Sequence, residues 1–110
     1  MRFDLITLFP ELFAPFLSSG VTRRAYASGQ VAVHLWNPRD FAEGNYRRVD
    51  DRPFGGGPGM VMMAPPLERC LQAVRAARGE PAEDLAPLVL FSPLGPRLDP
   101  AGVELSLLHL

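Results

Sequence analysis

The strongest constraint on this chain is the run Gly55-Gly56-Gly57-Pro58-Gly59. It lies between a charged stretch, Val49-Asp50-Asp51-Arg52-Pro53-Phe54, and an apolar one, Met60-Val61-Met62-Met63. Four glycines and a proline within five residues exclude a continuous helix or central strand, so regular structure has to stop here. A backbone without Cβ atoms either turns tightly or lets another group approach closely. A solvent-exposed glycine turn is the plain alternative, and the flanking charges argue for more than that. Two familiar phosphate loops are excluded. A Walker A loop needs a lysine after its last glycine, whereas all eleven basic residues here are arginine. The dinucleotide fingerprint needs a third glycine where Met60 stands, and a buried strand before the first, which residues 47–54 do not supply.

At 110 residues the chain is sized for one domain at most, and such a domain buries roughly two thirds of its unfolded surface. Its 47% hydrophobic and 21% charged residues are those of a globular protein, not of a disordered tail. A net charge of −1 exerts no overall pull on nucleic acid or an anionic membrane, so any attraction is local. Arg47, Arg48 and Arg52 make one basic cluster beside the glycines, and Arg23 with Arg24 makes another. A single cysteine, Cys70, allows neither an intrachain disulfide nor a cysteine-rich zinc site, and a reducing cytoplasm is the simplest setting. Asp4 stands where a secretory signal would need apolar residues, and no run approaches the ~20 apolar residues of a membrane span.

Strand and helix signals alternate along the chain. Residues 2–8 read as a strand, and Pro10 suits a first helical turn. Leu12, Phe13, Phe16 and Leu17 share a helix face that Pro15 should kink or divide. Ser19 is placed to cap a short helix over residues 21–28 that Gly29 stops. Residues 31–36 are a second strand. Residues 37–59 hold only one turn, around Asp40, and so long a structureless stretch inside a domain usually serves function. Residues 60–63 are a short extended piece. Pro65 or Pro66 opens a helix with Leu67, Cys70, Leu71, Val74 and Ala77 on its apolar face, and Gly79 ends it. After a polar linker, residues 87–91 form an apolar run of the kind buried in a parallel sheet. Asp99 and Pro100 open a last helix.

The pattern predicts an α/β fold, a parallel sheet with helices on both faces. In such sheets ligands bind beyond the carboxyl ends of the strands, which singles out residues 37–59 and 92–97. The apolar finish, Leu105, Leu107, Leu108 and Leu110, carries no stop signal and needs a partner. It suggests the amino-terminal part of a longer protein.

Asn37-Pro38-Arg39-Asp40-Phe41, the stretch from Val49 through Met60, Ser92-Pro93 with Gly95, and the opening Leu8-Phe9-Pro10-Glu11-Leu12-Phe13 closely resemble the bacterial tRNA (guanine-N1)-methyltransferases. The resemblance implies a homodimeric enzyme of the SPOUT class, with an α/β domain tied in a trefoil knot. It would transfer a methyl group from S-adenosylmethionine to N1 of the guanosine 3′ of certain tRNA anticodons. It also implies that Leu90, Phe91, Ser92, Pro93 and Leu94 line the cofactor pocket, with Pro58 and Gly59 close by. The Asp and Arg thought to carry catalysis lie, in family members, beyond Leu110. No catalytic residue is therefore assigned, and this chain alone is expected to be inactive.

Within the charged stretch, Arg47, Arg48 and Arg52 are candidates for tRNA phosphates. Asp50 and Asp51 read as organisers of those arginines, because nothing in the sequence buries them as a general base requires. A merely solvated charge run is the alternative. Trp36 reads as a core or rim aromatic before a base-stacking one. His34 and His109 lack partners at metal-binding spacing, and Cys70 reads as inert. Tyr46 stands where the family commonly has a basic or His residue, and Leu94 where it has Gln. A non-catalytic RNA- or cofactor-binding module and a purely structural α/β piece are the competing readings.

Overall fold

The structure, a computed structural model, describes residues 1–101. It divides into two compact units, Met1–Arg78 and Gly79–Leu110.

The first unit is built on a parallel pair, β1 (Arg2–Ile6) and β2 (Ala32–Trp36), in the register Arg2↔Ala32 through Ile6↔Trp36. Side chains alternate across a strand, and this decides what each face meets. Phe3, Leu5 and Val33 point one way. With Phe13, Phe16, Leu17 and Tyr26 they line an apolar cleft of about 280 Å3. Those partners come from a 3-10 turn (Pro10–Phe13) and from α1 (Ala14–Ser18) and α2 (Arg23–Ala27). The opposite face carries Asp4, which meets Trp36 of β2 and Arg78 at the end of α3 (Ala64–Arg78). Helices therefore cover both faces, as the alternating pattern predicts.

Pro15 divides its segment by falling in the first turn of α1, where no N–H is needed. Ser19, expected to cap the next helix, instead closes α1, donating its N–H to the Pro15 carbonyl at 3.0 Å. Gly20 at φ +74° then turns the chain, so α2 begins only at Arg23, and the preceding Thr22 makes no side-chain cap bond. Cys70, Val74 and Pro66 of α3 are buried and Leu67 and Leu71 half-buried, whereas Ala77, placed on the apolar face by its spacing, is exposed. Gly79 ends α3 at φ +65°.

The charged stretch hides a hairpin: β3 (Asp50–Asp51) pairs antiparallel with β4 (Val61–Met62). Two adjacent aspartates carry no strand propensity, which is why the sequence shows only β4.

In the second unit, residues 87–91 are not a strand. They form no regular element and have no ladder partner among the described residues, and Leu88, Val89, Leu90 and Phe91 are exposed. An apolar run becomes a strand only when another strand takes its backbone bonds. Residues 92–95 turn, with the Gly95 N–H donated to the Ser92 carbonyl at 3.0 Å. Pro100 and Ala101 are helical. The rest of the predicted last helix, and His109, lie outside the described residues.

Candidate functional site

Val49, only 1% exposed, pins the charged stretch to the first unit. Its carbonyl accepts the Met63 N–H at 2.7 Å, joining the two arms of the hairpin. Around this anchor the polar residues project outward. Arg48 donates to Asp51 Oδ1 at 3.2 Å, and the same oxygen accepts the Arg52 N–H at 2.8 Å. Asp51 thus fills the organising role expected of it. The Asp50 carboxylate does not: among the described residues it has no side-chain partner, and only its carbonyl accepts from Arg48, at 3.5 Å. The Arg52 guanidinium is likewise unengaged among the described residues.

Arg47 sits at φ +45°, unusual for a residue with a Cβ. A 3-10 turn (Pro38–Phe41) holds it there. Asn37 Oδ1 caps that turn by accepting the Arg39 N–H at 3.0 Å, Arg39 donates to the Arg47 carbonyl at 3.2 Å, and Asp40 lies 3.8 Å from the Arg47 guanidinium. Arg69 of α3 adds a second brace, donating to the Phe41 carbonyl at 2.9 Å and to Glu43 Oε1 at 3.0 Å. Glu43, Arg48, Asp51, Met63, Pro65 and Arg69 border an open cleft of about 290 Å3. Arg39 and Arg69 are braces the sequence does not reveal, because their partners lie 8 to 28 residues away and leave no periodic trace.

The glycine loop meets its conformational demand. Gly55, Gly56, Gly57 and Gly59 all have positive φ, between +84° and +117°. A Cβ on any of them would meet nothing within 4 Å, so among the described residues the glycines serve backbone shape and not close approach. Pro58 and Gly59 are exposed in the first unit; Leu90, Phe91, Ser92, Pro93 and Leu94 are exposed in the second. The Ser92 hydroxyl accepts the Leu94 N–H at 3.2 Å, and a Cβ on Gly95 would come 3.3 Å from the Ser92 carbonyl.

Away from the loop, Asp4 is the most tightly held ionisable group. Its side chain is 5% exposed and accepts from Arg2 Nε and Nη2 (3.0 and 2.9 Å), Arg78 Nη1 (2.8 Å) and Trp36 Nε1 (2.9 Å). Burial works to raise its pKa, but the hydrogen bonds from Arg2, Arg78 and Trp36, with the charge of Arg2, outweigh it and bring the pKa to about 2. Trp36 thus has a structural partner. Burial, with the Asp40 charge second, pushes the Cys70 thiol up to about 11, as an inert cysteine requires. Among the described residues no group of three His, Cys, Asp or Glu could hold a metal ion, and no helix is long and apolar enough to cross a membrane.

The model of the family described as tRNA (Guanine-1)-methyltransferase TrmD matches residues 1–106. The chain belongs to that family. Among curated relatives, the tRNA (guanine-N(1)-)-methyltransferase of Paracidovorax citrulli is 79% identical over 103 residues, covering 94% of this chain and 40% of its own length. That of a Polaromonas species is 71% identical over 104 residues, with the same coverage. Among solved structures, the tRNA (m1G37) methyltransferase of Aquifex aeolicus superposes with a TM-score of 0.66 at 32% identity, over 74% of this chain and 36% of that one. The chain therefore spans about 40% of the length of these curated methyltransferases. Its parallel α/β arrangement is part of the fold that this methyltransferase family shares.

Proposed function

We propose that these residues form the amino-terminal part of the cofactor-binding, SPOUT-type domain of a cytoplasmic, homodimeric tRNA methyltransferase. The enzyme methylates N1 of the guanosine 3′ of the anticodon, with S-adenosylmethionine as donor. The family match over residues 1–106 carries this reading.

N1 of guanine bears a proton at neutral pH. Its methylation needs a base to remove that proton and a positive donor for the charge that builds on O6. No residue of this chain is assigned to either task. What the chain supplies is positioning. Arg47, Arg48 and Arg52 present guanidinium groups on an exposed hairpin, the geometry suited to phosphate. Asp50, whose carboxylate is unengaged among the described residues, remains available to accept from a base edge.

S-adenosylmethionine supplies the activated methyl group when bound. The residues expected to hold it suit that ligand: Leu90, Phe91 and Leu94 are exposed apolar side chains, and no described residue occupies the backbone donors and acceptors of residues 87–91. Apolar flanks with free backbone groups are what an adenine ring needs. Ser92, Pro93, Pro58 and Gly59 complete the proposed set.

A segment swap tests the reading. Replacing the matching 103 residues of the Paracidovorax citrulli enzyme, 79% identical, with this chain is expected to retain methyl transfer to tRNA carrying guanosine after the anticodon. Transfer should vanish when adenosine stands there. A folded chimaera that binds S-adenosylmethionine and tRNA yet transfers no methyl group would favour the non-catalytic module instead.

A further inference from the structure

Two aromatic residues bracket the arginines, and neither is used in the reading above. Tyr46 is 88% exposed and Phe54 fully so. Each occupies a central position of a hydrogen-bonded turn. The Arg47 N–H is donated to the Gly44 carbonyl at 3.3 Å, leaving Asn45 and Tyr46 at the corner. The Gly56 N–H is donated to the Pro53 carbonyl at 3.1 Å, leaving Phe54 and Gly55 at the corner, with Gly55 at the positive φ that a type II turn demands of its third residue. A turn corner points its side chain away from the chain on either side. No ring contact engages Tyr46 or Phe54 among the described residues.

Leaving a phenylalanine bare forgoes roughly 1.5–3 kcal/mol of burial, and a partner is indicated by what stands between the two rings. Buried Val49 holds the stretch in place while the side chains of Arg47 and Arg48 remain 63% and 59% exposed. Exposed rings at either end of a stretch that carries exposed guanidinium groups match single-stranded nucleic acid, whose phosphates take the charge and whose unpaired bases take the rings.

We propose that Tyr46 and Phe54 are base-stacking residues that hold unpaired nucleotides of the RNA, while the arginines between them hold its phosphates. The inference rests on the RNA reading above. In the full-length chimaera, affinity for an anticodon stem-loop is measured from 50 to 300 mM salt. Stacking carries no charge and releases no counterions, so Tyr46→Ala and Phe54→Ala should each weaken binding roughly ten-fold with the salt slope unchanged. Arg48→Gln should instead flatten the slope by about 0.7–0.9. Tyr46→Phe, which keeps the ring, should bind within about two-fold of the parent.

Alanine variants that bind like the parent overturn the stacking role and leave the RNA reading intact. So do variants that melt several degrees lower with unchanged affinity, because the rings then pack on protein. A parent chimaera with no affinity for the stem-loop overturns both.

Discussion

Asp4 sits at the meeting point of two arginines and an indole, and its lowered pKa is a statement about stability. The carboxyl moves from 3.8 to about 2 on folding. A group whose folded pKa is depressed stabilises the native state above its unfolded pKa, and that contribution is lost as pH falls through the folded value. The stabilisation is therefore full above about pH 4–5 and gone below about pH 2. Its size is about 2 kcal/mol. Asp4→Asn should cost about that much in urea unfolding at pH 7, where it removes the charge that Arg2 and Arg78 face, and the gap between parent and variant should close on acidification. A gap that stays constant down to pH 2 would show that packing, not charge, sets the cost. In the sequence Asp4 argues against a secretory signal and gives no sign of an ion cluster. Its role was not legible because the arginine that fixes it lies 74 residues away.

At the scale of elements, the signals that could be read were periodic or punctuating. α3 was foreseen from its apolar spacing and its two prolines, and the β1–β2 pair from two short apolar runs. The β3 strand and the late start of α2 were not, because hydrogen bonds override propensity at Asp50 and because Gly20 turns the chain before a cap can act. The glycine loop was legible as an obligatory break, and its positive φ values give the reason. Gly56 at φ +87° has open space around it, so the cost of a side chain there is conformational and not steric. Gly56→Ala is expected to destabilise by about 1 kcal/mol. Semisynthetic D-alanine at the same position, which accepts positive φ, should restore the parent melting temperature. Equal destabilisation by both enantiomers would place the cost in packing instead.

For the whole molecule, composition and alternation were enough to give the α/β class, and the motif order was enough to give the family. The third strand was not settled by sequence, because residues 87–91 carry the right side chains but form a strand only against a partner, and none pairs with them among the described residues. The candidate site shares this limit: its charged hairpin is braced within the first unit, while the segment expected to hold the cofactor stands exposed in the second. The 110-residue chain by itself is accordingly expected to transfer no methyl group from radiolabelled S-adenosylmethionine to tRNA. Robust turnover would refute that expectation and place the base within these residues.

The ion cluster on Asp4 also sets a schedule. β1 is translated first, yet β2 completes its pairing only 30 residues later, and Arg78 reaches the carboxylate only after 74. At roughly 5–20 residues per second, the nascent chain carries that acid unpaired by Arg78 for about 4–15 s. Throughout that interval the β1–β2 pair can form, but the bond that joins the first strand to α3 has to wait for the end of the unit to be made.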